Sequence, residues 1–138
     1  MFGYEGKKVF ELKVITRFAA AHQLKMVAKK CENLHGHNWR VEICVAGDTL
    51  NHAGVLMDFG EIKTHVSEIV SKLDHQFLND LEDFGENRPT SSENIAAWLA
   101  AELQKTIDAP GIRVTRVTIW ESDDACATYI VPVATPIR

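Results

Sequence analysis

The sequence has no long apolar run, no basic tract and few cysteines, and each shortage excludes a class of protein. No apolar segment in the 138 residues approaches the ~20 residues that a membrane-spanning helix needs. The net charge is −4 and no stretch is of the nucleic-acid-binding type, so we expect neither a membrane nor a nucleic acid as a partner. The segment MFGYEGKK lacks the apolar core of a secretory signal. Three cysteines are an odd number without framework spacing, so we expect reduced thiols and a cytoplasmic location.

The composition is that of an ordinary globular protein. Hydrophobic residues make up 46% of the chain and charged residues 25%. A chain of this length can bury one core. Since no linker, repeat or low-complexity segment interrupts it, we predict a single domain over residues 1–138.

Apolar periodicity predicts the order strand, strand, helix, helix, strand, strand. The predicted elements cover residues 9–22, 37–46, 59–73, 95–107, 112–121 and 125–133. Thr90 and Glu93 have the spacing of a capping box before the second helix. Asp123 and Asp124 lie in the turn between the last two strands.

Two hairpins with paired helices between them predict an α+β fold, in which a four-stranded antiparallel sheet has both helices packed on one face. The other face of the sheet is polar in the sequence pattern. We expect it to meet water, or a wet cavity inside an oligomer. It carries Glu11, Lys13, Arg17, Arg40 and Glu42.

The segment CENLHGH, residues 31–37, contains a thiol and two histidines. In extended backbone His35 and His37 point the same way, and a hairpin would bring His22 close to them. Three imidazoles without a fourth protein ligand are typical of a catalytic zinc site with an open position. Cys31 is either that fourth ligand or a nearby thiol whose pKa the cation lowers. The alternative is a chance H-x-H pair of ordinary partnered histidines.

Asp74 and His75 form a second pair with chemical potential. A carboxylate beside an imidazole raises its basicity and orients it, as a proton relay requires. The alternative interpretation is a histidine at a helix end, favoured there by the helix dipole.

Six short stretches in this order resemble the 6-pyruvoyl-tetrahydropterin synthase/6-carboxytetrahydropterin synthase family, which has the tunnelling fold. The resemblance runs from about residue 10 to 130. The stretches are FAAAHQL (18–24), CENLHGH (31–37), GVLMDFGEIK (54–63), LDHQFLND (73–80), TSSENIA (90–96) and VTIWES (117–122).

The resemblance implies a role for each candidate residue. The metal ligands, holding one zinc ion per subunit, would be His22, His35 and His37. The catalytic group would be Cys31, Asp74 and His75. The pterin ring would be bound by Glu121, Ser91, Ser92 and Glu93. The triphosphate contacts stay open, with Lys25, Lys29, Lys30 and Arg17 as candidates.

The resemblance also implies a reaction and an assembly. The substrate would be 7,8-dihydroneopterin triphosphate, and the compact C-x-x-x-H-G-H spacing favours 6-carboxy-5,6,7,8-tetrahydropterin, acetaldehyde and triphosphate as products, on the path to queuosine and other 7-deazapurines. The alternatives are a 6-pyruvoyl product or a zinc-binding module without turnover. A pterin aldolase on the same fold is disfavoured, because His22 and the H-G-H pair would have no role in it. The family implies a homohexamer of two stacked trimers.

Overall fold

The computed structural model describes residues 8–24, 34–107 and 109–133, and gives only the backbone of His35. Its five strands are β1 (Phe10–His22), β2 (His35–Gly47), β3 (Gln76–Phe77), β4 (Arg113–Ser122) and β5 (Ala125–Ile130). Its two α-helices are α1 (Phe59–Val70) and α2 (Ser92–Thr106), and a short 3-10 helix spans Leu78–Asp80.

The strands form one mixed sheet in the order β3-β1-β2-β4-β5. The pairs β1–β2 and β4–β5 are antiparallel, as the two predicted hairpins require, and β2–β4 is antiparallel as well. The prediction of four strands missed β3, which pairs in parallel with the end of β1 through Ala20 and Ala21. A strand of two residues has no alternation from which a sequence pattern could reveal it. The α+β fold with two helices is confirmed.

The helices and the inner face of the sheet share one hydrophobic core. Ile62, Val66 and Ile69 come from α1, and Trp98 and Leu99 from α2, at the spacing of amphipathic helices. These side chains join one buried cluster with alternating residues of the strands, namely Val14, Phe18, Trp39, Val41, Ile43, Val117 and Ile119. Because this core fixes the strands against the helices, it also fixes where the strand ends meet.

The start of α2 differs from the predicted capping box. Ser91, not Thr90, is the N-cap, and its Oγ accepts a hydrogen bond from the N–H of Asn94 at 3.1 Å. Thr90 is buried, with 1% of its surface exposed. Its hydroxyl donates to Asn79 and its carbonyl accepts from His22.

Neither described α-helix is both long enough and apolar enough to cross a membrane.

The predicted polar face of the sheet carries ion pairs among strand residues. Lys13 Nζ and Arg40 Nη2 contact the carboxylate of Glu42 at 3.3 and 3.5 Å. Arg116 Nη2 contacts Glu11 Oε1 at 2.6 Å.

Candidate metal centre and proton-transfer pair

The register of β1 and β2 brings two of the predicted ligands together. His22 is paired with His35 and Ala20 with His37, so the end of one strand lies beside the start of the other. Residues two apart on a strand share a face, which puts His22 and His37 on the inner side of the sheet. Their ring centroids are 5.2 Å apart. The prediction that the hairpin brings His22 close to His37 is therefore confirmed.

Trp39 packs against both imidazole rings. Its indole ring makes edge contacts with His22 at 4.9 Å and with His37 at 5.2 Å between centroids. Trp39 is fully buried, stacks on Phe18, and donates its indole N–H to the carbonyl of Ala20 at 3.1 Å. A buried and hydrogen-bonded aromatic side chain has few alternative rotamers, so this support is rigid.

Glu121 completes the cluster from β4. Its Oε1 lies 2.8 Å from His37 Nε2 and 3.2 Å from His22 Nε2. The pairing of β4 with β5 skips from Trp120 to Ser122, which makes Glu121 the extra residue of a β-bulge. Bulges re-aim side chains, and this one lies beside the histidines. Ligand atoms of the three residues all lie within 4.8 Å of one another and could hold a metal ion.

The hydrogen bonds of His22 define which ring nitrogen carries a proton. Nδ1 lies 2.7 Å from the carbonyl oxygen of Thr90. A carbonyl oxygen only accepts, so Nδ1 donates and Nε2 is the ring nitrogen left to bind a metal ion. Nε2 lies 3.2 Å from Glu121 Oε1. Two acceptors in contact are favourable only when a cation, either a proton or a metal ion, lies between them.

This donor set fits a divalent metal ion. Two imidazole nitrogens and a carboxylate oxygen are ordinary zinc ligands. Metal-bound histidines usually donate the other ring N–H to a carbonyl or carboxylate, as His22 does to Thr90. Burial of His22 removes competing water from the ring.

Asp74 and His75 are hydrogen-bonded to the backbone of Ala19, which lies in β1 three residues before His22. Asp74 Oδ1 accepts a hydrogen bond from the N–H of Ala19 at 2.9 Å, and the N–H of His75 donates to the carbonyl of Ala19 at 2.6 Å. His75 has a φ of 59°, a left-handed conformation that costs a non-glycine residue about 1 kcal/mol or more. Its Nε2 lies 3.5 Å from Asp74 Oδ2. The predicted pair is thus held in a strained, defined position.

An open cleft of about 530 Å³ joins the histidine cluster to this pair. His37 and His75 both line it, and small residues along β1 and β2 leave the space between them. The lining includes Ala19, Ala20, Ala21, Gly36, Asn38, Gln76 and Phe77. A small molecule in this cleft could contact both groups.

The start of α2 borders the cluster through Thr90, whose carbonyl bonds His22. The predicted pterin-binding residues Ser91, Ser92 and Glu93 follow directly, at the N-terminus of the helix. Glu121, predicted as a pterin anchor, lies against the two imidazoles instead of standing apart from them. Its position is compatible with either a metal ligand or a substrate contact.

Several predicted residues lie outside the described part of the chain. They are Cys31 and the lysines Lys25, Lys29 and Lys30, together with the side chain of His35. Of the other thiols, Cys126 is exposed, and burial raises the pKa of the Cys44 thiol. Cys44 therefore lacks the low pKa of a reactive cysteine.

The sequence analysis missed two groups at the site. One is the backbone carbonyl of Thr90, which no residue pattern can indicate because every residue has a carbonyl. The other is Asn79, whose side chain bonds both Gln23 and Thr90. The motif LDHQFLND contains Asn79, but nothing in its composition marks that residue.

The fold and the site together define an α+β protein in which His22, His37 and Glu121, from β1, β2 and β4, form a donor set for a metal ion. A family profile described as 6-pyruvoyl tetrahydropterin synthase matches residues 11–131. The chain therefore belongs to the 6-pyruvoyl tetrahydropterin synthase family.

Individual relatives carry three different activities in their names. A 6-carboxy-5,6,7,8-tetrahydropterin synthase of Synechocystis sp. is 39% identical over 125 residues, covering 87% of this chain and 92% of the relative. A dihydroneopterin monophosphate aldolase of Pyrococcus furiosus is 36% identical over 108 residues, covering 78% and 85%. The solved 6-pyruvoyl tetrahydropterin synthase of Caenorhabditis elegans superposes with a TM-score of 0.79 at 25% identity, covering 91% and 98%. One relative is thus named for an aldolase activity, which the sequence pattern disfavours for this chain.

Proposed function

We propose that this protein is a zinc-dependent lyase that converts 7,8-dihydroneopterin triphosphate and one water molecule to 6-carboxy-5,6,7,8-tetrahydropterin, acetaldehyde and triphosphate, in the biosynthesis of queuosine and other 7-deazapurines. The observation that carries the proposal is the cluster of His22, His37 and Glu121, whose ligand atoms all lie within 4.8 Å of one another while His22 Nδ1 is bonded to the carbonyl of Thr90. The relative from Synechocystis sp., named for this product, supports the choice.

In this proposal His22, His35 and His37 hold the zinc ion. When bound, zinc supplies Lewis-acid polarisation of the substrate's side-chain oxygens, which makes the neighbouring C–H bonds more acidic. The carbonyl of Thr90 keeps Nε2 of His22 available as the ligand atom. Trp39 and the buried strand ends exclude water from the inner side of the cluster.

Proton transfer belongs to Cys31 and to the Asp74–His75 pair. The thiolate of Cys31 removes a proton from the substrate side chain. His75, oriented by Asp74, moves protons on the other face. The bonds from residues 74 and 75 to Ala19 keep His75 at a fixed distance along β1 from the histidine cluster.

Substrate binding is assigned to Glu121 and the start of α2. A carboxylate has two acceptor oxygens that suit the guanidine-like edge of a pterin ring. Ser91, Ser92 and Glu93 lie where backbone N–H groups of the first helical turn point outward. In this assignment the carboxylate of Glu121 moves from the histidines to the pterin when substrate binds.

We propose that the protein assembles as a homohexamer with sites completed by neighbouring subunits, and the exposure of His75 leaves room for such a neighbour. Its side chain is 82% exposed in the single chain, and the cleft beside it is open to solvent. Proton transfer is efficient where water is excluded, and a neighbouring subunit would close the cleft. Light scattering of the purified protein distinguishes a hexamer from a monomer. We propose a cytoplasmic location for the assembly.

An aldolase is the second candidate function, and the named relative from Pyrococcus furiosus favours it. An aldolase cleaves a carbon–carbon bond without eliminating triphosphate. A 6-pyruvoyl-forming synthase would eliminate triphosphate without releasing acetaldehyde. The products therefore separate the three activities.

Incubation of the purified protein with 7,8-dihydroneopterin triphosphate, followed by mass analysis, tests the proposal. We expect 6-carboxytetrahydropterin, acetaldehyde and triphosphate, and loss of all three after treatment with a chelator. A pyruvoyl product, or cleavage without triphosphate release, would identify one of the rival activities. A non-catalytic zinc module would give no product and would unfold on removal of zinc, whereas a catalytic site keeps its fold.

A further inference from the structure

The side-chain amide of Asn79 continues the sheet where β3 ends. Its Oδ1 accepts a hydrogen bond from the N–H of Gln23 at 2.9 Å, and its Nδ2 donates to the carbonyl of Gln23 at 2.8 Å. The amide thus bonds both backbone groups of one residue, as a neighbouring strand would. The backbone pairing of β3 with β1 stops at Phe77 and Ala21. Asn79 fixes the residue directly after His22.

The same amide also holds Thr90. The hydroxyl of Thr90 donates to Asn79 Oδ1 at 3.2 Å, while the carbonyl of Thr90 accepts from His22 Nδ1 at 2.7 Å. Thr90 and His22 are both buried. One side chain therefore fixes the strand end that carries the imidazole and the carbonyl that orients the imidazole ring.

We propose that Asn79 is a positioning residue of the metal centre, because it keeps Thr90 in place to hold His22 in the tautomer that directs the Nε2 lone pair at the ion. The proposal rests on the proposed zinc site. Asn79 reaches the ion only through Thr90 and His22. Its loss is expected to weaken metal binding without removing a ligand.

Four variants, one of them a control, separate this role from general stability. Asn79→Ala removes both bonds to Gln23 and the acceptor for Thr90. Thr90→Val keeps the volume and the carbonyl but loses the hydroxyl, whereas Thr90→Ser keeps the hydroxyl. Asn51→Ala is the matched control, because Asn51 Oδ1 also accepts two hydrogen bonds, here from the backbone N–H groups of Ala53 and Val55 in the loop before α1.

The first measurement is the zinc dissociation constant, obtained by competition with a chromophoric chelator. Outer partners of metal ligands typically contribute about 10–100-fold to metal affinity. We expect Asn79→Ala and Thr90→Val to raise the dissociation constant by about 10-fold, at the low end of that range. We expect Thr90→Ser and Asn51→Ala to bind zinc like the wild type.

The second measurement is made on metal-free protein, where long-range ¹H–¹⁵N NMR spectra report which nitrogen of His22 carries the proton. We expect the Nδ1–H form in the wild type and a mixture of tautomers in Asn79→Ala. Wild-type zinc affinity together with an unchanged tautomer in Asn79→Ala and Thr90→Val would overturn the proposal. If Asn79→Ala does not fold, Thr90→Val against Thr90→Ser gives the answer. A wild type that binds no zinc would refute the proposed function. The tautomer measurement would still test whether Asn79 positions Thr90 and His22.

Discussion

Asp74→Ala is expected to lower both stability and turnover, because the Asp74 carboxylate bonds the backbone of Ala19 and lies beside His75. A hydrogen bond to a charged group contributes about 1.5–3 kcal/mol to folding. The side chain of Asp74 is 39% exposed, so solvent screening reduces this to about 1–2 kcal/mol. With a urea dependence of about 1–3 kcal/mol per M, the unfolding midpoint should fall by about 0.3–2 M.

Asp74→Asn separates the two roles. The amide oxygen of asparagine can still accept from the N–H of Ala19, so most of the stability should remain. The neutral amide cannot stabilise a protonated His75, so turnover should fall by about 10²-fold or more. Tryptophan fluorescence in urea, at one fixed protein concentration, measures stability, and triphosphate release measures turnover.

The two variants should differ in stability but share the loss of turnover. Asp74→Ala should lose stability and turnover, while Asp74→Asn should lose turnover alone. Wild-type turnover in Asp74→Asn would show that the carboxylate does not act on His75. An unchanged urea midpoint in Asp74→Ala would show that the bond to Ala19 does not hold the turn in place.

Three further results are expected. Cys31→Ala should lower turnover by about 10²–10⁴-fold while zinc stays bound. The control Cys126→Ala should change neither turnover nor zinc content. Loss of zinc from Cys31→Ala would make Cys31 a metal ligand. Glu121→Gln should raise KM for the pterin by about 10–100-fold with little change in zinc affinity, and release of zinc would make Glu121 a ligand instead. Partial burial raises the pKa of Glu42, but hydrogen bonds from Trp120 and Lys13 lower it more, to a net value below the ordinary 4.5. The stability from Glu42 is therefore present above pH 4.5 and lost as the pH falls through the lowered folded value. Urea unfolding of Glu42→Gln should accordingly vary less with pH below pH 4.5, and a profile parallel to the wild type would contradict this.

Much of the fold could be predicted because its elements are long and strongly periodic. The alternation in β1 and β2 and the helical spacing in α1 and α2 reflect one buried face per element. The proximity of His22 and His37 followed from the hairpin, since antiparallel strands return the chain to the same edge. These features depend on side-chain pattern, which the sequence displays directly.

The missed features depend on backbone groups and on single bonds between distant segments. The pairing of Phe77 with Ala21, the carbonyl of Thr90 at His22 and the amide of Asn79 at Gln23 have no periodic signal. Thr90 also shows how local chemistry can mislead. Its hydroxyl suits a helix cap, but it donates to Asn79 Oδ1 instead, and Ser91 is the N-cap.

Metal content measured together with turnover tests the central claim most directly. Elemental analysis of the purified protein should find bound zinc. Chelation should remove both the zinc and the turnover while circular dichroism stays unchanged, and added zinc should restore turnover. A protein that binds no transition metal under any loading condition, or that turns over equally well after chelation, would contradict the account.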